Sequence, residues 1–223
     1  MKVTRKFKVI AIDGPAGSGK STTARLVAKQ LDFLYLDTGA MYRALTYKVL
    51  QKSIDPNLSS DVVSLLEKTK LSVLSKRGIC RILLDGKDVS SQLRSQAIEE
   101  NVSAVSRHAA VRKIMVALQR DVARKGNLVI EGRDTTSVVF PDADLRIYLE
   151  ASLDERAKRR TKIKGALRLQ KMELARRDRF DSTRNIAPLK KTRGSIVVDT
   201  TRLSIPQQVN RVLELYRRKV ERR

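Results

Sequence analysis

Cysteine and histidine are nearly absent from this 223-residue sequence, which contains one of each, Cys80 and His108. A single cysteine cannot form an internal disulfide, so a bridge-stapled secreted fold is excluded and a reducing, cytoplasmic setting is expected. One cysteine and one histidine cannot build a His/Cys zinc site, and the shortage of histidine argues against His-based triads and general bases. Any catalytic chemistry must therefore come from other residue types.

Aromatic residues, glycine, proline and long apolar runs are scarce as well. Aromatics account for 4% of the residues with no tryptophan, which argues against a platform that stacks nucleic-acid bases. Glycine (10) and proline (5) are too few for a low-complexity chain. The apolar run 9–12 is too short for a signal peptide, and no run approaches the roughly 20 residues of a membrane span. We expect no membrane partner.

Positive charge is in excess. The sequence has 47 Lys and Arg against 24 Asp and Glu, a formal net charge of +23. Such a surface attracts phosphates, nucleic acid or acidic membranes, although a solvated basic surface explains the same excess without a partner. The basic residues are densest over 156–193, where arginine outnumbers lysine. That bias favours phosphate binding, because the guanidinium group contacts phosphate through two hydrogen bonds.

Short β-branched runs alternate with helical patterns. The predicted core strands are FKVIAI (7–12), FLYLD (33–37), LVIEG (128–132), LRIYLE (145–150) and SIVVDT (195–200). Apolar residues at helical spacing follow the first strand, over 21–31, and a second helix is predicted over 40–51. Strand, loop, helix and strand within about 30 residues form the βαβ pattern, which predicts an α/β fold.

The middle of the sequence predicts an insert in this core. Residues 71–75 and 79–86 are two strand-like runs separated by a turn at 76–78, which indicates a small antiparallel hairpin. A single long helix is expected over 95–125, and another helix over 204–220.

The segment GPAGSGKS (14–21) matches the pattern G-x-x-x-x-G-K-[ST], follows a predicted strand and opens a predicted helix. Its glycines allow successive N–H groups to point at phosphate oxygens, and the helix adds its positive dipole end. Lys20 is expected to reach the β- and γ-phosphates, and Ser21 to offer a hydroxyl to Mg²⁺. The predicted ATP-binding residues of this loop are Gly14, Pro15, Ala16, Gly17, Ser18, Gly19, Lys20, Ser21 and Thr22. The loop alone does not distinguish a kinase from a GTPase or a mechanical ATPase.

Three further stretches carry hydroxyls, arginines and acids. They are DTGAMYR (37–43), EGRDTTSVVFPDA (131–143) and RDRFDSTRNIAPL (177–189). The first two begin at the carboxyl ends of predicted strands, where ligands bind in open α/β sheets. The third, with Arg177, Asp181 and Arg184, is expected to be a loop. Each alone also fits a surface ion pair or a capped helix end, but their placement with a phosphate loop favours a second ligand site.

Together the motifs GPAGSGKST, LDTGAMYR, EGRD…VVFPDA, D-x-x-R-x-x-APL and VDTT…SI resemble the bacterial-type cytidylate kinases, over about 9–215 of the chain. The resemblance implies transfer of the γ-phosphoryl group of ATP to CMP or dCMP, with Mg²⁺. It also implies a P-loop three-layer α/β/α core with a central parallel five-stranded sheet, a small NMP-binding insert with antiparallel strands and a helical lid. The implied boundaries are core 1–44, 109–155 and 189–223, insert 45–108 and lid 156–188.

The resemblance also implies roles for individual residues. The implied CMP-binding residues are Thr38, Arg43, Arg133 and Arg184 at the phosphate, Ser103, Arg112 and Asp134 at the cytosine, and Arg177 and Asp181 at the sugar. The implied lid contacts to ATP come from Arg156, with Arg159 or Arg160. The implied catalytic residues are Lys20, Arg133 and Arg184.

The chemistry of the cytosine base and of the acceptor phosphate agrees with these roles. Cytosine presents an amino donor and two acceptors, which suit a carboxylate such as Asp134 and an arginine. Uracil would place a carbonyl oxygen opposite Asp134, an unmatched pair that costs roughly 1–3 kcal/mol. No general base is needed, because a phosphate monoester with a second pKa of about 6 is mostly a dianion at pH 7.

Two alternatives stay open at this point. One is a P-loop kinase with another acceptor, either another nucleoside monophosphate or a small metabolite. The other is a nucleic-acid-associated P-loop ATPase, which the charge of +23 favours and the low aromatic content disfavours. We expect a monomer whose partners are ATP and CMP or dCMP, with nucleic acid not required and at most weakly associated through charge.

Overall fold

A five-stranded, all-parallel sheet forms the centre of the protein. The computed structural model describes residues 7–76, 78–161 and 166–221. Its strands are β1 (Val9–Asp13), β2 (Leu34–Asp37), β3 (Leu71–Lys76), β4 (Ile79–Leu84), β5 (Lys87–Asp88), β6 (Leu128–Gly132), β7 (Leu145–Glu150) and β8 (Ile196–Asp199). The parallel sheet has the order β2–β6–β1–β7–β8. Residues 1–6, 77, 162–165 and 222–223, which include parts of the predicted hairpin turn and lid, lie outside the described residues.

Helices follow most of the strands. They are α1 (Lys20–Leu31), α2 (Thr38–Gln51), α3 (Ser59–Glu67), α4 (Gln96–Arg107), α5 (Ala109–Ala123), α6 (Leu153–Arg160), α7 (Leu167–Thr183) and α8 (Ile205–Tyr216). Two short π-helical segments span Thr135–Val139 and Arg217–Glu221. Across residues 7–76, 78–161 and 166–221, no helix combines the length and the apolar content that a membrane crossing requires.

The sheet is buried on both faces, as continuous β-branched strands require. Every residue of β1 and β6 is buried, and alternate side chains of β1 enter two different cores. Ile10 and Ile12 pack with α1 and α8. Val9 and Ala11 pack with α2 and α5 on the other face. The expected three-layer α/β/α core with a parallel five-stranded sheet is therefore confirmed.

The insert and the lid lie on either side of one end of this core. The insert contains an antiparallel sheet of order β3–β4–β5 together with α3 and α4. In the lid, α6 and α7 pack against each other, and Ala157 and Leu174 contact Ala16 of the phosphate loop. The domain boundaries stay predictions, and the one between residues 44 and 45 falls inside α2.

The prediction of a single helix over 95–125 is wrong, because His108 separates two helices, α4 and α5. The backbone of His108 is extended, with ψ of 122°, and its ring Nε2 lies 2.8 Å from the carbonyl oxygen of Pro56. This change of direction lets α4 pack against α2 while α5 packs against α3. Helical periodicity continues on both sides of the break, and no Gly or Pro marks a stop there.

The prediction of a loop for Arg177 and Asp181 is also wrong, because both residues lie on α7. Arg184 follows directly after the last residue of this helix. The buried residues of α7 are Leu174 and the charged Asp181. A helix that turns charged side chains inward has no apolar stripe, so the periodicity that identifies an amphipathic helix is missing.

Candidate active site

One cleft opens at the carboxyl ends of β1, β2 and β6, between the insert and the lid. Its cavity has a volume of about 530 Å³ and is lined by nine Lys or Arg and five Asp or Glu side chains. The predicted site residues that line it are Ala16, Gly17, Gly19, Lys20, Ser21, Thr22, Thr38, Arg43, Ser103, Arg112, Arg133, Asp134, Arg177, Asp181 and Arg184. The surplus of cations suits ligands that carry several negative charges.

The phosphate loop joins β1 to α1 through backbone conformations that glycine adopts without strain. Gly14 has φ of 154° and Gly19 has φ of 93°. A Cβ atom on Gly14 would lie 2.0 Å from the carbonyl oxygen of Leu149, so the loop lies directly against β7. The Nζ atom of Lys20 donates a hydrogen bond to the carbonyl oxygen of Pro15 at 3.0 Å. A loop of this shape at a helix N-terminus forms an anion-binding nest.

Beside the loop, the junction of β2 and α2 holds Arg43 in the cleft. The carboxylate of Asp37 accepts a hydrogen bond from the backbone N–H of Ala40 and another from Nη2 of Arg43, both at 2.9 Å. The hydroxyl of Thr38 donates to the backbone oxygen of Glu131 at 2.8 Å. Nε of Arg43 is buried and has no hydrogen-bond partner among the described residues. This buried donor is unsatisfied, and Arg43 lines the cavity.

A buried charged cluster also lines the cleft. Nη2 of Arg112 donates to Oδ2 of Asp134, and its Nη1 donates to the backbone oxygen of Ser106 at 3.0 Å. Nη2 of Arg184 lies 3.8 Å from Oδ1 of Asp134. The guanidinium group of Arg112 also lies 5.4 Å from the ring centroid of Tyr42. The cluster presents both a carboxylate and guanidinium groups to the cavity, which can pair with a base that has donors and acceptors.

Arg133 and Arg177 line the same cleft, and each is paired with an acid. Nε of Arg133 donates to Oδ2 of Asp181 at 2.8 Å. Nη1 of Arg177 donates to Oε2 of Glu99 at 2.5 Å. Because Arg177 and Asp181 belong to α7 and Glu99 to α4, these pairs connect the core, the lid and the insert around the cavity.

Comparison with known proteins shows which family builds this cleft. A family model described as cytidylate kinase matches residues 10–218. The chain is 44% identical over 217 residues to a cytidylate kinase from a Geobacillus species, covering 95% of this chain and 97% of that protein. It is 44% identical over 216 residues to the cytidylate kinase of Carboxydothermus hydrogenoformans, covering 94% and 97%. It is also 42% identical over 210 residues to that of Oceanobacillus iheyensis, covering 92% and 91%.

The chain belongs to the cytidylate kinase family. The resemblance drawn from the motifs is thereby confirmed, and the alignments span nearly the whole chain.

In this member of the cytidylate kinase family, the predicted ATP-binding residue Arg156 does not line the cavity. It packs against the phosphate loop instead. Its guanidinium group donates to the backbone oxygen of Ala16 at 3.1 Å and to Asp178 at 2.5 Å, and the residue is 7% exposed. Arg159 and Arg160 line the cavity instead. The other predicted ATP-binding residues outside the lining are Gly14, Pro15 and Ser18. A direct contact between Arg156 and ATP stays a prediction.

Two buried acids of the site were not singled out from the sequence. Asp13, the last residue of β1, accepts hydrogen bonds from the backbone N–H and hydroxyl groups of Thr135 and Thr136, and so anchors the segment after Asp134. Glu131 accepts a hydrogen bond from the hydroxyl of Ser21 at 2.7 Å. An acid at the carboxyl end of a buried strand was the available signal for both.

Magnesium, which the family implies, has suitable oxygen donors beside the phosphate loop. The hydroxyl of Ser21 and the carboxylate of Glu131 are hydrogen-bonded, and Asp37 pairs with Glu131 in the strand register. Burial raises the pKa of Glu131 and the charge of Asp37 raises it further, whereas Lys20 lowers it. Mg²⁺ binds hard oxygen ligands and keeps several waters next to substrate phosphates. The donor set therefore fits this ion.

Lys20 carries an unusual acid–base property. The pKa of Lys20 is lowered from 10.5 to about 7, chiefly by burial and also by the positive charges of Arg133 and Arg177, while Glu131 and Asp13 oppose the change. We therefore expect the amine of Lys20 to be only partly protonated at neutral pH when no nucleotide is bound. Phosphate oxygens near the ammonium group would stabilise its charged form and raise this pKa.

We expect ATP binding to take up a proton on Lys20 and to weaken as the pH rises. The bound state holds more protons than the free state above the free-enzyme pKa of about 7, so the dissociation constant rises with pH, by up to about tenfold per unit. Calorimetry between pH 7.5 and 9, in two buffers of different ionisation enthalpy, measures both the affinity and the proton uptake. The control variant Lys29→Met, which changes an exposed lysine of α1, should show the same dependence of ATP affinity on pH as the parent enzyme. An ATP affinity that does not change with pH in the parent enzyme would contradict the prediction.

Proposed function

We propose that this cleft binds ATP at the phosphate loop and CMP or dCMP at the cluster around Asp134, with the two phosphate groups facing each other. Family membership gives the reaction: the γ-phosphoryl group of ATP passes to the monophosphate, giving ADP and CDP or dCDP. The observation that carries the arrangement is that one cavity is lined by both Lys20 of the loop and the Arg112–Asp134 pair.

The transfer itself requires alignment and positive charge more than a base. An oxygen of the acceptor phosphate attacks the γ-phosphorus, and the bond from this phosphorus to the β,γ-bridging oxygen breaks, so the electron pair leaves with ADP. Lys20, Arg133 and Arg184 would neutralise charge on the moving group and the flanking oxygens. Mg²⁺, held by Ser21 and Glu131 directly or through water, would supply further positive charge to the ATP phosphates.

The acceptor base would be selected by the cluster around Asp134. One carboxylate oxygen of Asp134 accepts from Arg112, and the other, Oδ1, faces Arg184 at 3.8 Å. A cytosine amino group could donate to this carboxylate, and Ser103 also lines the cavity. Uracil offers an acceptor at the corresponding position and would leave two acceptors facing each other.

The lid would exclude water during transfer. Arg159 and Arg160 of α6 and Arg177 and Asp181 of α7 line the cavity. Lid closure over the phosphates limits hydrolysis of ATP, which competes with transfer to the acceptor. We propose the predicted lid, 156–188, as the segment that closes.

We further propose that the enzyme is a monomer in the cytoplasm and needs no nucleic acid. The net charge of +23 would serve substrate attraction and solvation. Strong salt-dependent binding of RNA with stimulation of ATP hydrolysis would instead favour the nucleic-acid-associated alternative.

A coupled ADP-release assay tests the proposed substrates directly. CMP, dCMP, UMP, AMP and GMP are supplied in turn with Mg²⁺ and ATP, and the diphosphate product is identified by chromatography. The proposal requires CMP or dCMP to give the highest kcat/KM. Preferred turnover of AMP or GMP would point to another acceptor and would contradict it.

We expect Asp134→Asn to relax the preference for cytosine over uracil by about 10- to 100-fold, because an amide donates as well as accepts. The measurement is the ratio of kcat/KM for CMP to that for UMP in the variant and the parent enzyme. Asp121→Asn, which changes an exposed acid of α5 paired with Arg124, should leave the ratio unchanged. Equal losses on both substrates would remove Asp134 from base recognition.

A further inference from the structure

Glu99 is a partly buried acid of the insert that faces the lid across the cleft. It lies in the first turns of α4, its side chain is 16% exposed, and it lines the cavity. Its Oε2 atom accepts a hydrogen bond from Nη1 of Arg177 at 2.5 Å and lies 3.8 Å from Nη2 of Arg160. Within residues 7–76, 78–161 and 166–221, the ion pairs that join α6 and α7 to the insert all end on this one carboxylate.

Arg177 needs a counter-charge to stay in the cleft. Burial lowers the pKa of Arg177 and the neighbouring positive charge of Arg133 lowers it further, whereas Glu99 and then Asp181 raise it. Asp181 is already hydrogen-bonded to Arg133 at 2.8 Å. Without Glu99, Arg177 would face Arg133 with no acid of its own, and a long side chain on a lid helix would turn toward water.

The same argument applies to the lid as a whole. Arg159 and Arg160 of α6 and Arg177 of α7 bring three positive charges toward a cavity that already contains Lys20 and several core arginines. Repulsion among these charges favours an open lid until phosphates arrive. A carboxylate on the opposite wall offsets this repulsion at the point where the lid meets the insert.

We propose that Glu99 is a positioning residue that holds Arg177 and Arg160 in the cleft before the acceptor nucleotide binds. The inference rests on the proposed binding of CMP or dCMP beside Arg177 and adds to it a residue that acts through this arginine. A side chain that is already oriented loses less conformational entropy when the nucleotide binds, so Glu99 increases acceptor affinity without touching the reacting atoms.

The neighbouring residue Glu100 supplies a matched control. Glu100 carries the same charge as Glu99 and lies on the same helix, but it is exposed. It accepts a hydrogen bond from the side-chain amide of Gln96, one turn away on α4, at 2.8 Å. Replacing either glutamate by glutamine removes one negative charge and changes the shape very little. A difference between the two variants therefore reports the position of Glu99 rather than the net charge.

The test compares Glu99→Gln and Glu100→Gln for binding, turnover and stability. We expect Glu99→Gln to raise both KM and the calorimetric dissociation constant for CMP about tenfold, as for loss of a charged hydrogen bond. Its kcat and its unfolding temperature should stay close to the parent values, and Glu100→Gln should change none of these quantities. A fall in kcat at unchanged CMP affinity, or an unchanged or tighter CMP dissociation constant, would overturn the proposal.

A double-mutant cycle with Arg177→Met separates this inference from the proposed function. If Glu99 acts through Arg177, Glu99→Gln should cause little further loss of CMP affinity in the Arg177→Met background. An undiminished loss in that background would overturn the coupling. Parent enzyme that binds CMP but forms no CDP would contradict the proposed function, while the binding cycle would still decide the role of Glu99.

Discussion

Replacing Arg133 by alanine should lower kcat by about 1,000-fold, the size of effect that arginines produce at transferring phosphoryl groups. Arg133 follows directly after β6, lines the cavity between the phosphate loop and the Asp134 cluster, and is held by a hydrogen bond to Asp181. A guanidinium group at this place can contact both the acceptor phosphate and the moving phosphoryl group, and it would offset the repulsion between these two anionic groups as they approach each other. The measurement is steady-state kcat at saturating ATP and CMP.

Binding and folding measurements distinguish this effect from simple damage. ATP affinity should remain near the parent value, because the phosphate loop holds ATP through its own N–H groups and Lys20. Arg124→Ala, which removes an arginine whose side chain is 77% exposed at the far end of α5, should leave kcat unchanged. A kcat for Arg133→Ala within tenfold of the parent value, in a folded protein, would remove Arg133 from the catalytic residues.

Replacing Gly14 by alanine should destabilise the protein by about 3 kcal/mol and abolish ATP binding. The new Cβ atom would lie 2.0 Å from the carbonyl oxygen and 3.1 Å from the carbonyl carbon of Leu149, far inside contact distance. These atoms belong to the backbone of β7 in the middle of the parallel sheet, so they cannot move aside as a flexible side chain would. The loop itself must shift, and its N–H groups then no longer converge on one anion.

Gly86→Ala is the matched control for Gly14→Ala. Gly86 also has a positive φ, of 82°, but a Cβ atom there would have no neighbour within 4 Å. Its replacement should therefore cost only the left-handed backbone penalty, about 1–2 kcal/mol, with ATP affinity unchanged. Urea denaturation gives the two stabilities, and calorimetry gives the ATP affinities. Equal destabilisation of the two variants would show that the contact with Leu149 is not the cause.

The errors of the sequence interpretation have a common physical origin. The helix break at His108 depends on how α4 packs on α2 and α5 on α3, and those contacts leave no mark in the residues around position 108. The helical state of Arg177 and Asp181 was missed because α7 turns charged residues toward partners that are distant in sequence, Glu99 and Arg133. In both places long-range contacts, which local periodicity does not record, decided the structure.

The family match and the fold agree with what the motifs predicted, while the roles of the individual site residues stay predictions. The phosphate loop could be predicted from the sequence because eight consecutive residues determine its shape. Its glycines permit the turn, and the following helix sets its direction. The core strands could also be predicted from local sequence, because buried parallel strands require continuous apolar runs.

The sequence by itself determined the α/β core, the phosphate loop and the family, because each depends on residues that are adjacent or a few positions apart. Only the tertiary structure decided which acid faces which arginine: Asp181 with Arg133, Asp134 with Arg112, and Glu99 with Arg177. Such pairs form between segments that crossover connections and helix packing bring together. Their partners are therefore set by geometry in three dimensions, which no local spacing encodes.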